Sequence, residues 1–598
     1  MDRPDESRTI NLFEQLSGYL DPPVISLSDP DLSVLLRRLG SSDTPSNRWI
    51  IELGLSASGF NRFRQRLRSD QLESLLRSTN VRLPGPLSPA LSTTVALQDD
   101  PRDLSPYQRA ATLIFGAYSL YHSLRLAELK PDQFQDHASE MGLYPNLFST
   151  SLIVDHKTPR LFKGVFEPQI TLLIRGHLYL LLLGDLKTET WVESLAAAIE
   201  KLAVQVAPLT SNEMSPGILT AADTRTQQRI FAQLAHDPID APILRRMRRS
   251  YLTVCLDLES FPDSLEEAAR LTHSTNFINR WFHASCQIIV FGNSRACTNM
   301  NYHAYLDGEV MLRSAAEIQQ RAVVYPIQFD EPEAAGDEYK IFELDWDIQP
   351  KAVPPVEYQR VQDEINALVD QQPATFELPG FGHTFFDNHG INSDAGFILA
   401  LQAALGELTD TPHSVDRRIS LAGYRCMDEV LIKLMTDEGQ QYLDALSRTG
   451  NPNFDSNEMH DRLIAAQSAH LKCLSQAQEK MPPELLIQLF IKSRNRSQRI
   501  RAQAALKVSF LSMKISRLDH YYPQPDVLVS SPRVYPQAPV VGRPGLRLPI
   551  VKSLGMYYQI WPDRIVMTIS PGVHWKIPNQ VLVEQIEKVI VGYSTYKT

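Results

Sequence analysis

Residues 279–312 read NRWFHASCQIIVFGNSRACTNMNYHAYLDGEVML. CQIIVF and ACTNMN are short apolar or β-prone runs. A turn at Gly292-Asn293 separates them, so the stretch predicts strand, turn, strand over 286–304. The second strand delivers His303 at or just beyond its end. Residues there are held by a scaffold yet accessible, which suits chemistry. His303 is followed by Asp307 and Gly308. Histidine titrates near neutrality and can take a proton from an alcohol or thiol and return it later. On its own the hexapeptide admits two readings, a satisfied histidine beside a β-turn or a general base.

Further strand signals surround it. SYLTVCLDL (250–258) is rich in β-branched and apolar residues, and ITLLIRGHLYLLLLGDL (170–186) predicts a hairpin turning at Arg-Gly-His. That run is broken too early to span a bilayer. Helical periodicity appears at 107–129, 193–205, 396–406, 426–447, 457–479, 482–512 and 579–591, and residues 1–80 read as helices between polar turns. Residues 325–357 look like a crossing between halves. The proline-rich 521–545 must be loop or edge strand, and DRIVMTIS (563–570) is strand-like.

The chain has 598 residues, too many for one ordinary core. Its net charge of -10 and lack of a long basic run argue against nucleic acid as partner. Five scattered cysteines include no C-x-x-C pair or zinc spacing. Reduced thiols in a cytoplasmic protein are expected, with no zinc site. No signal peptide, membrane span or peroxisomal tripeptide is visible.

NRWF (279–282), SPGILTAADTR (215–225) and SYLTVCLD (250–257), in this order and at these separations, resemble the choline/carnitine acyltransferase family. Fainter similarity runs from NRW (47–49) to the last helix. The His-x-x-x-Asp-Gly pattern is shared with BAHD enzymes and peptide-synthetase condensation domains, so the flanking segments point to the carnitine branch. The resemblance implies an α/β fold of two chloramphenicol-acetyltransferase-like domains with an active-site tunnel between them. One domain is expected over 95–370, the other over 1–94 plus 371–598. It also implies that His303 is the general base, with Asp307 and Gly308 shaping its loop, and that no metal and no tightly bound cofactor are needed.

Both substrate sites depart from the family. Two lysines that grip coenzyme A fall on His383 and Asp387, while Asp394 and the Ala400-Leu401-Gln402 helix match. A missing pair of ammonium groups weakens the hold on nucleotide phosphates. RRISLAGYRCMDE (417–429) replaces the carnitine-carboxylate segments, and a His-Arg pair becomes His470-Leu471. The Ser-Thr-Ser triplet becomes Val529-Ser530-Ser531, leaving Ser530 and Ser531 as oxyanion or acceptor contacts, with Gly555 and Tyr558 in matching places. The chain looks like the offloading domain of fungal polyketide synthases, or a free-standing relative of it. That implies a donor thioester on the phosphopantetheine of an acyl carrier protein and an alcohol or polyol acceptor. Two alternatives stand beside it, a coenzyme A-dependent carnitine- or choline-type acyltransferase and a non-catalytic binding module.

Overall fold

The structure, a computed structural model, describes residues 92–134, 137–139, 141–154, 160–183, 191–209, 214–301, 306, 308–326, 339–346, 353–369, 374–409, 413, 415–420, 429–447, 456–479, 526–531, 534–542, 554–572 and 575–595. The helices expected within 1–80 and 482–512 lie outside these residues.

Strand β1 (Ser92–Ala96) leads to helix α1 (Pro106–Arg125). Ser105 starts that helix with a capping box. Its hydroxyl accepts from Gln108 N at 3.2 Å while its own N–H donates to the Gln108 side chain at 2.9 Å. Short pairs β2 (Gln133–Phe134) with β3 (His137–Ala138), and β4 (Thr150–Ile153) with β5 (Arg160–Lys163), follow. Next comes the hairpin β6 (Gln169–Ile174) and β7 (His177–Leu182). Its two turn residues, Arg175 (φ 52°) and Gly176 (φ 87°), are both left-handed, as a tight two-residue hairpin needs. Helices α2 (Trp191–Gln205), α3 (Pro216–Leu219), α4 (Thr224–His236) and α5 (Asp240–Arg249) precede β8 (Leu252–Asp257). Then come α6 (Leu265–Ser274), β9 (Cys286–Phe291), β10 (Ala296–Asn301), α7 (Gly308–Val324), β11 (Lys340–Glu343) and α8 (Pro355–Val369).

The second half begins at β12 (Ala374–Pro379). It continues through α9 (His383–Asn388), α10 (Ser393–Leu408), β13 (Val415–Ser420), β14 (Glu429–Lys433), α11 (Asp437–Leu446) and α12 (Ser456–Glu479). Strands β15 (Val527–Ser530), β16 (Val540–Gly542), β17 (Leu554–Ile560) and β18 (Arg564–Pro571) and helix α13 (Asn579–Tyr593) complete it.

The α/β class expected from the sequence is observed. Eight strands form one mixed sheet in the order β11-β7-β6-β8-β9-β10-β1-β16, and six form another in the order β12-β18-β17-β15-β13-β14. The first sheet is covered on both faces. Ile170, Val254 and Ile288 pack with residues of α1, α2 and α7 on one side. Leu173, Cys255 and Ile289 pack with residues of α3, α4, α5 and α6 on the other. Burial on both faces explains why these strands read as nearly continuous apolar runs. One face of the second sheet, including Val529, Met556 and Met567, packs on α10, α11, α12 and α13. Tyr557, on its other face, joins the first core cluster.

Two expectations need correction. The helix expected over 426–447 is strand β14 followed by α11, because EVLIK gains a ladder with β13 from Asp416↔Lys433 to Ser420↔Glu429. Within the proline-rich stretch, β15 lies between β13 and β17, inside the sheet, since Val527–Ser530 itself contains no proline. The crossing at 325–357 contributes β11 as an edge strand beside β7. Among the described residues, no helix is long and apolar enough to cross a membrane.

Candidate active site

The segments NRWF, TVCLD and GILT converge on one buried ion pair. Asp257 ends β8, and its carboxylate accepts from Arg280 Nη1 at 3.0 Å and Nη2 at 2.7 Å, with both side chains fully buried. Asn279 Nδ2 adds a third donor at 2.9 Å and Asn276 Nδ2 a fourth at 2.7 Å. Burial pulls the Arg280 guanidinium pKa down, but Asp257 outweighs it and the net shift is upward. Thr220 of GILT accepts from Phe282 N at 3.0 Å. A side chain at Gly217 would stand 2.5 Å from Ile278 O and 2.6 Å from Arg280 O, so only glycine fits there. These residues are a brace beneath the β9–β10 hairpin.

That hairpin ends at Asn301. His303 and Asp307 lie outside the described residues. Gly308 is buried at the start of α7. Strand alternation places Asn299 and Asn301 on the face shared with Cys297, Ile289 and Cys255. This face turns from apolar to polar toward Asn301. Thr171, Thr253, Gln287, Asn299 and Thr94 form one rung across five strands, all buried. Asn299 Nδ2 donates to Ser92 Oγ and Thr94 Oγ1, each at 3.0 Å, and Gln287 Nε2 donates to Asn299 Oδ1 at 3.4 Å. Gln287 Oε1 accepts from Trp281 N at 2.7 Å, tying the rung to the brace. A buried polar row of this kind persists because its groups satisfy one another. The sequence signal was the alternation in TNMN, which reads as strand but gives no hint of its cross-strand partners.

In the second sheet Asp394 is a hub. It sits in the first turn of α10 and receives three side chains from three other elements. Arg417 Nη1 of β13 donates to Oδ2 at 2.5 Å, His470 Nε2 of α12 lies 3.1 Å from the same oxygen, and the Tyr558 hydroxyl of β17 donates to Oδ1 at 2.7 Å. Burial alone would raise the Asp394 pKa, but Arg417 and the bonds from His470 and Tyr558 win and hold it well below the usual range. Burial pushes the Tyr558 phenol well above its ordinary value. The phenol already donates to Asp394, so it accepts from the Ser531 hydroxyl. Arg417 also stands 5.9 Å from the Tyr558 ring centre.

The four residues expected to serve the oxyanion or acceptor therefore divide between two faces. Ser531 and Tyr558 belong to the hub on the helix-covered side. Ser530 pairs with Tyr557, whose ring joins the first core cluster, and Gly555 lies on that same opposite face. Of the expected donor-side residues, His383 and Asp387 lie one turn apart on α9 and are exposed. His383 Nδ1 lies 2.7 Å from Ser393 Oγ, next to Asp394 in sequence. Asp394 itself is committed to the hub. Arg417 was missed as its partner, because only the β13–β15 pairing turns Arg417 toward α10. Among the described residues no group of three or more His, Cys, Asp or Glu side chains is placed to hold a metal ion. Burial pushes the thiols of Cys255, Cys286 and Cys297 up to about 12, which keeps them protonated and inert.

Among curated proteins, the chain is similar to mitochondrial carnitine O-acetyltransferase of Saccharomyces cerevisiae. The identity is 22% over 330 residues, covering 51% of this chain and 46% of the yeast protein. The match thus spans about half the length of that relative. Among solved structures it is similar to the first condensation domain of the calcium-dependent antibiotic synthetase, at 10% identity and TM-score 0.38, covering 88% of this chain and 94% of that one. The condensation domain from Monacolin K polyketide synthase matches at 10% identity and TM-score 0.32, covering 58% and 80%. The choline/carnitine O-acyltransferase family profile matches residues 76–497, which include the buried brace, the polar rung, His303 and, of the hub, Asp394, Arg417 and His470. The chain belongs to the choline/carnitine O-acyltransferase family.

Proposed function

We propose that this protein is an O-acyltransferase in which His303 deprotonates an acceptor hydroxyl, the alkoxide attacks a thioester carbonyl, and the histidine returns the proton to the leaving thiolate. Asp307 orients the histidine loop, and Gly308 lets it turn into α7. Ser530 is the hydroxyl offered to the oxyanion, since Ser531 is spent on Tyr558. Ser531 and Tyr558 position the end of β15. The two sheets would then belong to two domains divided near residue 370, with the reacting groups in a tunnel between them.

The donor is an acyl group, polyketide-like, on the phosphopantetheine of a carrier protein, and the acceptor is a small alcohol or polyol. The observation that carries this choice is α9. Where coenzyme A-using relatives present two lysines, an exposed imidazole and an exposed carboxylate share one helix face. A carboxylate repels nucleotide phosphates, and a carrier-bound arm brings no nucleotide. The coenzyme A-dependent reading is favoured only by the family match itself.

The test offers one acyl group on carrier protein and on coenzyme A, with polyol or carnitine as acceptor, and follows ester by mass spectrometry. Ester from carrier-bound donor and polyol, reduced at least roughly 100-fold by His303→Ala, is expected. Equal turnover by His303→Ala sinks the general-base reading. Fast acylcarnitine formation from the coenzyme A thioester sinks the carrier-protein reading.

A further inference from the structure

Helix α5 carries Arg245, Arg246, Arg248 and Arg249 within five residues, in a chain whose net charge is -10. Its apolar residues Leu244 and Met247 are buried in the cluster that contains Leu173, Cys255 and Ile289. Arg245, Arg246 and Arg249 are exposed. The helical step of ~100° gathers these three into one sector of about a quarter turn. Arg249 lies 3.5 Å from Glu167, a surface pair of little energetic consequence. Among the described residues no carboxylate pairs with Arg245 or Arg246. Strand β4 packs against α5, and its partner β5 adds the exposed Arg160 and Lys163.

The place of this face matters as much as its charge. Helix α5 covers the same side of the first sheet as Asn299 and Asn301. It also sits at the same end. Gln169 Nε2 donates to Arg246 O at 3.3 Å, Tyr251 N donates to Gln169 O at 3.0 Å, and Asn301 N donates to Ser285 O at 2.9 Å. The β8–β9 register carries Tyr251 onto Ser285, so Gln169 and Asn301 lie on one rung. Three strand spacings of ~4.8 Å separate them by ~14 Å. Asn301 precedes His303 by two residues. An extended phosphopantetheine arm is comparable with about five extended residues, ~17 Å. The strand end beneath α5 is therefore within one arm's length of the end of β10, and the arginines stand one helix layer further out.

We propose that the Arg245–Arg246–Arg249 face of α5 is the docking surface for an acidic carrier protein. The proposal rests on the carrier-bound donor reading above and names where that donor lands. The arginines stand on the outside of a helix, a shape that meets another protein's surface, whereas a nucleotide needs enclosure. Charge complementarity of this kind acts on encounter and on salt dependence.

The experiment compares the full-length protein with Arg245→Glu/Arg246→Glu and with the milder Arg245→Ala/Arg246→Ala. One acyl group is supplied on an acidic acyl carrier protein, on coenzyme A and on N-acetylcysteamine, and binding of the carrier protein is titrated separately. Charge reversal is expected to lower kcat/KM for the carrier-bound donor and to weaken carrier binding roughly 10- to 100-fold at low salt. Alanine should do so less, added salt should erase the difference, and the N-acetylcysteamine thioester should be unaffected. Unchanged carrier binding in both variants overturns the proposal. Equal loss with the coenzyme A thioester also overturns it, since the arginines would then hold nucleotide phosphates. If no donor yields ester, the acyl-transfer reading fails, and the titration alone decides docking. Salt-sensitive binding lost on charge reversal upholds it, and no binding by the wild type overturns it.

Discussion

Asp394 and Asp416 show how one residue type takes opposite roles on two faces of one sheet region. Asp394 is held ionised by Arg417, His470 and Tyr558. Asp416 is one residue before Arg417 and points the other way, beside Leu528 and opposite Lys433. It is 2% exposed, and its Oδ1 has no hydrogen-bond partner among the described residues. Burial raises its pKa to about 7, Lys433 opposes the rise, and Asp526 adds to it. The folded state therefore holds a proton that the unfolded chain has released once the pH exceeds about 4. This contribution to stability is complete below pH ~4, declines as pH rises, and is lost above ~7. Asp416→Asn should flatten the decline and leave the variant more stable than wild type at pH 8, by about 1–3 kcal/mol, in denaturant melts at pH 5 and pH 8. A wild-type slope retained in the variant would assign the titration to another group.

At the scale of elements, legibility followed local signals. Strands β6, β7, β8, β9 and β10 were readable because their apolar runs are bounded by turn chemistry at Arg175-Gly176 and Gly292-Asn293. Strand β14 was not, since three apolar residues between Glu429 and Lys433 fit either period until a neighbouring strand decides. Helices α4 and α6 went unread because charged and polar residues outnumber their apolar ones. The site was legible in parts. The resemblance singled out Asp394, Tyr558 and His470, but which groups touch depends on strand register. The same holds for NRWF and TVCLD, whose joint role is the Arg280–Asp257 pair. Arg280→Met leaves a buried carboxylate without its counter-charge and should cost about 3–5 kcal/mol in a chemical denaturation series. A double variant, Arg280→Met with Asp257→Leu, should recover part of that loss. No recovery would show that the pair does more than neutralise itself.

At the scale of the whole molecule, the two sheets are not independent. Strand β16 comes from the second half, yet it extends the first sheet by pairing Thr94↔Gly542, Val95↔Val541 and Ala96↔Val540. Tyr557 likewise leaves its own sheet's core for the other. A fragment ending at residue 370 should therefore fold poorly by itself. Expressed alone, it is expected to associate through the bare edge of β1, and adding residues 371–598 in trans should reduce that association, as light scattering would register. A monomeric, fully folded fragment would contradict this.

The same strand sets a timetable. A ribosome releases the chain from its N-terminus, so β1, β10 and the polar rung exist long before Val540 is made. For most of synthesis the outer edge of β1 is a row of unpaired N–H and C=O groups. During that interval the nascent sheet can recruit any passing strand, including another nascent copy. Correct assembly is thus a race between translation of residues 97–542 and mispairing of the β1 edge made before them. Slower elongation late in the message would lower yield without altering the finished molecule's stability.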